Sequence, residues 1–324
     1  MTDDHILLTG GTGFFGKSLL RYWADLERNG QAISTVTLLS RDPARFAAQY
    51  PALVSHRWLH LVQGDVCNPD SLPKGLTFTH VLHAATDSTT GPQLTPLQRF
   101  DQIINGTRNI LDLAISTGAS RFLLTSSGGV YGPQPLHMEQ IPEDYLGMPD
   151  PLNPSNAYSV AKRCAEHLCA IYREQYGLET VIARCFAFVG KDLPGDVHFA
   201  IGNFIRDALE RTEITVAGDG TPIRSYLDQR DLAEWLTVLL ERGQSGRAYN
   251  VGSDEGISVA DLAALVRDVL SPGKKVRILG KHEDAKSSSQ HRNVYVPSIK
   301  RAREELGLNV RIPLREAIRQ AAGL

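Results

Sequence analysis

Thr9-Gly10-Gly11-Thr12-Gly13-Phe14-Phe15-Gly16 follows the short apolar run Ile6-Leu7-Leu8 and precedes a stretch in which Phe15, Leu19, Leu20 and Trp23 recur at helical spacing. Strand, glycine turn and helix, in that order, form the joint at which a parallel α/β sheet receives a phosphate. The glycines stand at Gly10, Gly13 and Gly16, a G-x-x-G-x-x-G spacing. Glycine lets the backbone turn sharply and approach an anion without a Cβ in the way. The helix that follows offers unpaired N–H groups and the positive end of its dipole. The loop therefore reads as a dinucleotide pyrophosphate cradle, with Phe14 and Phe15 beside it.

Outward from the loop, buried-strand runs recur at 36–39, 59–62, 81–85, 121–125 and 180–184, and again at 248–251. Helical patterns separate several of them, notably around Ile103 to Ile115. Strands alternating with helices predict a parallel sheet covered on both faces. Beyond 184 the rhythm loosens, with turn clusters at Pro194-Gly195, Gly218-Asp219-Gly220 and Ser271-Pro272-Gly273. Lys281 to Gln290 is polar and Ser-rich and reads as a loop.

Composition narrows the function classes. The 324 residues carry 34 basic and 36 acidic side chains, a net charge of −2. No basic patch points to nucleic acid, and no basic amphipathic stretch to a membrane surface. No apolar run reaches the ~20 residues that cross a bilayer, and the N-terminus lacks a signal-peptide pattern. The expectation is a cytoplasmic protein. Cys67, Cys164, Cys169 and Cys185 show no CxxC spacing and read as reduced, mostly buried thiols. The histidines show no ligand spacing, so no metal is expected.

The cofactor end is read from the second strand. An NAD site usually places Asp or Glu there to grip the ribose 2′-hydroxyl. Here Ser40-Arg41 stands in that place. A hydroxyl and a guanidinium suit a 2′-phosphate, which favours NADP, while Asp42 leaves NAD open. Asp65 and Val66, after the third strand, are placed near the adenine. Ala84 and Ala85 follow the fourth strand at the cofactor.

Tyr158-Ser159-Val160-Ala161-Lys162 opens a helical stretch, with Tyr and Lys four apart on one face. A phenol is a poor base at neutral pH, and an adjacent ammonium favours its phenolate. Such a tyrosine can take a proton from a sugar hydroxyl, or return one to an alkoxide. Ser127 ends a Ser-rich strand at the crevice and can hydrogen-bond the reacting oxygen.

Together these residues resemble the extended short-chain dehydrogenase/reductase family that works on nucleotide sugars, the NAD-dependent epimerase/dehydratase family. His83-Ala84-Ala85, Asn105-Gly106-Thr107, Gly218-Asp219-Gly220-Thr221 with Arg224, and Tyr249-Asn250-Val251-Gly252 fall in family order with the loop, Ser127 and Tyr158/Lys162. The resemblance implies an α/β fold: a Rossmann-type doubly wound parallel sheet with a smaller C-terminal α/β substrate lobe. The expected division is 1–187, rejoined by about 226–252, and 188–324. The resemblance further implies that Tyr158 is the acid/base, that Lys162 holds the nicotinamide ribose, and that Ser127 orients the sugar oxygen. It implies Arg224, and more weakly Asn203 and Arg292, as contacts to the substrate's diphosphate, and a homodimer through the helices near 105–117 and 157–176. Asp87, Ala187 and His198 are further pocket candidates.

Departures from the family pattern bear on the reaction. In the 4,6-dehydratases of this family, Asp-Glu follows the residue at the place of Ser127; here Gly128-Gly129 follows. Ala187 replaces an Asn that touches substrate. The expectation is a C4 ketoreductase of a nucleotide 4-keto-6-deoxyhexose using NADP. The alternative is an NAD-retaining 4-epimerase. A dehydratase or decarboxylase of a nucleotide sugar, and a non-catalytic NAD(P) sensor, rank below these.

Overall fold

A computed structural model describes residues 4–86, 94–193, 199–280 and 293–324. In chain order the strands are β1 (His5–Thr9), β2 (Thr35–Ser40), β3 (Leu59–Gln63), β4 (His80–His83), β5 (Arg121–Ser127), β6 (Glu179–Cys185), β7 (Phe188–Val189), β8 (Glu213–Val216), β9 (Ile223–Arg224), β10 (Leu227–Asp228), β11 (Ala248–Val251), β12 (Ile257–Ser258), β13 (Lys275–Ile278) and β14 (Val294–Tyr295). The helices are α1 (Phe14–Arg28), α2 (Pro43–Gln49), α3 (Pro51–Val54), α4 (Pro96–Ser116), α5 (Ala157–Tyr176), α6 (Ala200–Glu210), α7 (Gln229–Arg242), α8 (Val259–Leu270), α9 (Lys300–Leu306) and α10 (Leu314–Ala321). Each apolar run read as a strand is one.

The chain divides into two compact units. The first comprises Met1–Val130, Met148–Cys185 and Ala233–Tyr249. Its sheet has seven strands in the order β11-β6-β5-β4-β1-β2-β3. The pairings among β1 to β6 are all parallel. This is the Rossmann-type architecture. The interior residues of β1 and β2 are buried, as expected for strands covered on both faces. The strand order reverses between β1 and β4, and in open α/β sheets the ligand crevice lies at the carboxyl ends of the strands at that point.

Two long helices close one face of this sheet. Thr95 opens α4 with a capping box: its hydroxyl accepts from the Gln98 N–H, and the Gln98 side chain accepts from the Thr95 N–H. Pro96 fills the first helical position, where no N–H is needed. α5 ends at Gly177, whose φ of 71° gives a left-handed cap. Ile110 and Leu111 of α4 and Ala161 and Ala165 of α5 pack with Val81 and Phe122 of the strands in one buried cluster. On α1, Leu19, Leu20 and Trp23 are buried as their spacing predicted, whereas Phe15 is only half-buried. Trp23 Nε1 donates to Thr237 Oγ1 at 3.1 Å.

The second unit comprises Tyr131–Gly147, Phe186–Leu232 and Asn250–Leu324. It holds the parallel pairs β13-β8 and β10-β7 and the three-stranded sheet β12-β9-β14. Ile201 and Phe204 of α6, Leu262 and Val266 of α8 and Ile318 of α10 form its core with Val216. The division differs from the expected one at 131–147, which belongs to this unit. The reason is local bonding: Ile141 N–H donates to the Val296 carbonyl and Ser298 N–H to the Ile141 carbonyl. Asn250 adds to it, its amide bonding the carbonyls of Ile141 and Ser298 while its side-chain oxygen accepts from Tyr131 at 2.8 Å. A strand-and-helix reading assigns such a segment to the domain it follows in sequence.

No helix among the described residues is long and apolar enough to cross a membrane. Two cysteines, Cys169 and Cys185, are buried, while Cys67 and Cys164 are exposed. The expectation of mostly buried thiols thus holds for half of them. The Ser-rich stretch at 281–290 lies outside the described residues.

Candidate active site

The glycine loop sits where the strand order reverses. Gly10 follows β1 with a φ of 71°, and a Cβ there would lie 2.4 Å from the Ala84 carbonyl oxygen after β4. The loops after β1 and β4 therefore touch through a position that only glycine can fill. Ala84 N–H donates to the Thr9 carbonyl at 3.2 Å and Ala85 N–H to Thr9 Oγ1 at 3.2 Å, which fixes the second loop on the first. Gly16 lets α1 settle onto the loop, since a Cβ there would meet Gly11 Cα at 2.1 Å. Gly13 is the N-cap of α1 and makes no side-chain cap bond. A Cβ at Gly13 would touch only the Gly10 carbonyl oxygen, at 3.4 Å. The loop thus has an uncapped helix start and an open face, which fit a pyrophosphate. Phe14 and Phe15 begin α1 with ring centres 6.0 Å apart.

The end of β2 has a defined conformation. Ser40 Oγ accepts the Asp42 N–H at 3.2 Å. Asp42 Oδ1 in turn caps α2 by accepting the Arg45 N–H at 2.9 Å. The carboxylate that could have served a ribose is committed to the helix, and Arg41 stands between the two. Asp65 is also committed: its Oδ1 accepts the Cys67 N–H at 2.9 Å. The Val66 carbonyl accepts from Asn109 Nδ2 at 2.9 Å, tying this loop to α4.

Ser127, Tyr158 and Lys162 come together at the end of β5. Ser127 is the last residue of that strand, and its Oγ accepts the Gly129 N–H at 3.1 Å. Ser127 also lies beside the Tyr158 phenol and favours its ionised form. The Lys162 ammonium lies 5.9 Å from the centre of the Tyr158 ring. It is anchored by two bonds, to Thr86 Oγ1 at 2.8 Å and to the Thr125 carbonyl at 2.9 Å.

Burial controls the charges. It pushes the Tyr158 phenol up to about 12, with the Cys185 thiol adding to the rise and the Ser127 hydroxyl and the Arg99 cation opposing it. It pushes Lys162 down to about 8, against the pull of the Glu166 carboxylate. At neutral pH the phenol holds its proton and the lysine is charged. Cys185 itself is buried and driven up to about 12, so it is a neutral thiol beside the pair.

A supporting network lies one helical turn further along α5. Glu166 Oε1 accepts from Ser126 Oγ at 2.6 Å, and Arg184 Nη2 pairs with Glu166 Oε2 at 2.8 Å. Tyr158, Lys162 and Glu166 thus follow one another at i, i+4 and i+8 on one helix face. Behind Lys162, His83 is buried between Thr9 Oγ1, 2.7 Å from its Nδ1, and Thr107 Oγ1, 3.4 Å from its Nε2. Burial, and after it the Lys162 charge, lower His83 to about 3, so the ring is neutral.

Thr86, Glu166, Arg184, Cys185 and Arg99 were not singled out in the sequence. The spacing Tyr158-Lys162-Glu166 was a usable signal for one of them. The others needed the strand register.

Among the substrate candidates, Ala187, Asn203 and Arg224 belong to the second unit. The Ala187 carbonyl accepts the Leu227 N–H at 3.0 Å. Asn203 lies on α6, its N–H bonded to the Phe199 carbonyl. Arg224 Nη1 donates to the carbonyls of Ile223 and Asn293, Nη2 donates to Asn293 Oδ1, and the guanidinium lies 5.8 Å from the Tyr295 ring centre. Asp87, His198 and Arg292 lie outside the described residues. No group of three His, Cys, Asp or Glu side chains among the described residues is placed to hold a metal ion.

Comparison with known proteins agrees with this geometry. The sequence model of the NAD dependent epimerase/dehydratase family matches residues 6–252. UDP-glucuronic acid decarboxylase 6 of Arabidopsis thaliana is 30% identical over 98% of this chain and 87% of its own length. Among solved structures, RMD from Pseudomonas aeruginosa complexed with NADPH superposes with a TM-score of 0.77 at 25% identity, covering 99% of this chain and 98% of that one. UDP-glucose 4-epimerase with UDP-glucose from Thermotoga maritima gives 0.79 at 21% identity, covering 98% and 97%, a likeness of fold.

Proposed function

The chain belongs to the NAD dependent epimerase/dehydratase family, and from that premise we propose that it reduces the C4 ketone of a nucleotide-activated 4-keto-6-deoxyhexose with NADPH. The observation that carries this reading is a buried phenol that keeps its proton, at Tyr158, beside Ser127 and with the Lys162 ammonium over its ring. No carboxylate among the described residues is among the groups that act on Tyr158. Such a cluster suits protonation of an oxygen at a ring carbon. Among the described residues it holds no carboxylic acid beside the phenol of the kind that elimination of a hydroxyl requires.

In this reading Ser127 donates to the C4 oxygen and holds it against Tyr158. Tyr158 Oη then passes its proton to that oxygen. The Lys162 ammonium favours the phenolate left behind, and when cofactor is bound it turns to the nicotinamide ribose. The bound nicotinamide supplies the hydride to C4. Gly10, Gly13 and Gly16 receive the pyrophosphate, with Phe14 and Phe15 flanking it. Ala84, Ala85, Asp65 and Val66 border the adenosine half, and Ser40 and Arg41 take the 2′-phosphate. NADPH in the related RMD structure supports this cofactor. By the family resemblance Arg224, Asn203 and Ala187 contact the nucleotide sugar, and two chains pair through α4 and α5.

The test is NADPH oxidation with UDP- and dTDP-4-keto-6-deoxyglucose. Tyr158→Phe lowers turnover by roughly 10²- to 10⁴-fold, the usual weight of a positioned acid, while cofactor binding persists. Full turnover by that variant would overturn the mechanism.

A second reading retains NAD through a cycle of oxidation and re-reduction. The 30% identity to a UDP-glucuronic acid decarboxylase favours it. Oxidation at C4 makes a C6 carboxylate part of a β-keto acid, whose C5–C6 bond breaks without a dedicated acid as carbon dioxide leaves. The same cycle without bond cleavage is a 4-epimerase. Tightly retained NAD in the purified protein, with carbon dioxide or an epimer formed from UDP-glucuronate, selects this reading over the reductase.

A further inference from the structure

Ser159 follows the catalytic tyrosine on the first turn of α5, is half-buried, and has no assigned role. A Cβ built on Gly129 would lie 2.5 Å from Ser159 Oγ and 3.3 Å from Ser127 Oγ. Both hydroxyls therefore lie near one point, and the absent side chain at 129 is what leaves room there for the Ser159 hydroxyl. Ser127 accepts the Gly129 N–H there and lies beside Tyr158. Ser159 Oγ makes no hydrogen bond among the described residues. A helical serine ordinarily satisfies itself on the carbonyl of the preceding turn, as Ser18 does on Phe14 at 2.8 Å. Ser159 instead holds an unspent donor and acceptor at the edge of the catalytic cluster.

We propose that Ser159 is a sugar-contacting, specificity-determining residue that binds the polar substituent on the ring carbon next to the reacting one. The proposal rests on the nucleotide-hexose reading. Vicinal substituents of a pyranose lie about a hydrogen-bond length apart. A ring whose reacting oxygen rests on Ser127 and Tyr158 brings its next substituent to Ser159. The same hydroxyl occupies the space that a side chain at 129 would enter, so the residue types at 129 and 159 are coupled. A carboxylate at 129 can be accommodated only by displacing Ser159.

The coupling makes the proposal testable by a double-mutant cycle. UDP-glucose and UDP are titrated calorimetrically into the full-length chain loaded with NADP⁺, and dTDP-glucose and dTDP serve as a second pair of probes. Ser159→Ala weakens the nucleotide sugar about five- to tenfold, the weight of one neutral hydrogen bond, and leaves the free nucleoside diphosphate unchanged. Gly129→Ala pushes the Ser159 hydroxyl out of place and gives a similar loss. The double variant relieves that contact, because Ser159 Cβ stands 3.4 Å from the new methyl, and binds no more weakly than either single variant. Unchanged sugar affinity in Ser159→Ala, an equal loss for the free diphosphate, or additive losses in the double variant would each overturn it. If the wild-type chain binds neither nucleotide sugar, the nucleotide-hexose reading itself fails, and this proposal fails with it.

Discussion

Lys162 and Glu166 stand one turn apart on α5, the lysine bonded to Thr86 and Thr125 and the glutamate held by Ser126 and Arg184. Burial lowers the ammonium to about 8, and the Glu166 carboxylate works in the opposite direction. Glu166 is thus a positioning residue that keeps Lys162 charged at neutral pH. The expected pH profile of kcat/KM falls as pH rises through about 8, because Lys162 loses its proton there. Glu166→Gln removes the opposing charge and moves that fall to lower pH by roughly half a unit to one unit. A purely structural role would lower activity at every pH and leave the profile in place.

His83 gives the fold an acid sensitivity of its own. Its folded-state pKa is lowered from 6.5 to about 3 by burial, then by the Lys162 charge. Between those values the unfolded chain binds a proton that the folded chain does not. Stability from this group is therefore intact above about 6.5 and is lost as pH falls toward 3, at about 1.4 kcal/mol per pH unit. His83→Asn should remove that slope from the urea-unfolding midpoint between pH 6.5 and 4. An unchanged slope in the variant would assign the acid sensitivity to other groups.

The parts of this molecule that sequence exposes are those governed by local pattern. The runs at β1, β2 and β5 are apolar because both sheet faces are covered, so their burial is written in consecutive residues. The glycine loop is legible because its backbone tolerates few alternatives, and Tyr158 and Lys162 because a helix turns four residues into one face. Contacts set by register between distant strands leave no such trace. Arg184 reaches Glu166 because β6 lies beside β5, and Ser159 meets Gly129 because the start of α5 faces the end of β5. Segment 131–147 joins the second unit through Asn250, a single side chain whose three partners, Tyr131, Ile141 and Ser298, lie far from it in sequence.

Gly10 joins fold to cofactor site in one residue. Its φ of 71° disfavours any L side chain, and a methyl there would press on the Ala84 carbonyl. Gly10→Ala must either strain the loop or separate it from the end of β4. The expected outcome is a loss of roughly 1–3 kcal/mol in unfolding free energy, the cost of a strained backbone position. Cofactor affinity should fall as well. Gly13→Ala, whose Cβ meets only the Gly10 carbonyl oxygen among the described residues, at 3.4 Å, should keep the stability yet weaken the cofactor if the loop receives the pyrophosphate as proposed. Equal stability losses in the two variants would contradict this division of labour.

In the proposed reading the cofactor preference turns on Ser40, the last residue of β2, and on Arg41 and Asp42 after it. Asp42 spends its carboxylate capping α2, and Ser40 accepts the Asp42 N–H. Arg41 is then the group best suited to a 2′-phosphate, and a guanidinium–phosphate contact in partial solvent is worth about 1.5–3 kcal/mol. Arg41→Ala should weaken NADP⁺ about tenfold or more and leave NAD⁺ nearly unchanged, read by titrating the cofactor-free chain with each. Asp42→Ala should cost stability through the lost cap, about 0.5–2 kcal/mol, without improving NADP⁺ selectively. If Asp42→Ala instead strengthens NADP⁺ and weakens NAD⁺, the carboxylate is a ribose ligand. The recycling, NAD-retaining reading would then displace the reductase.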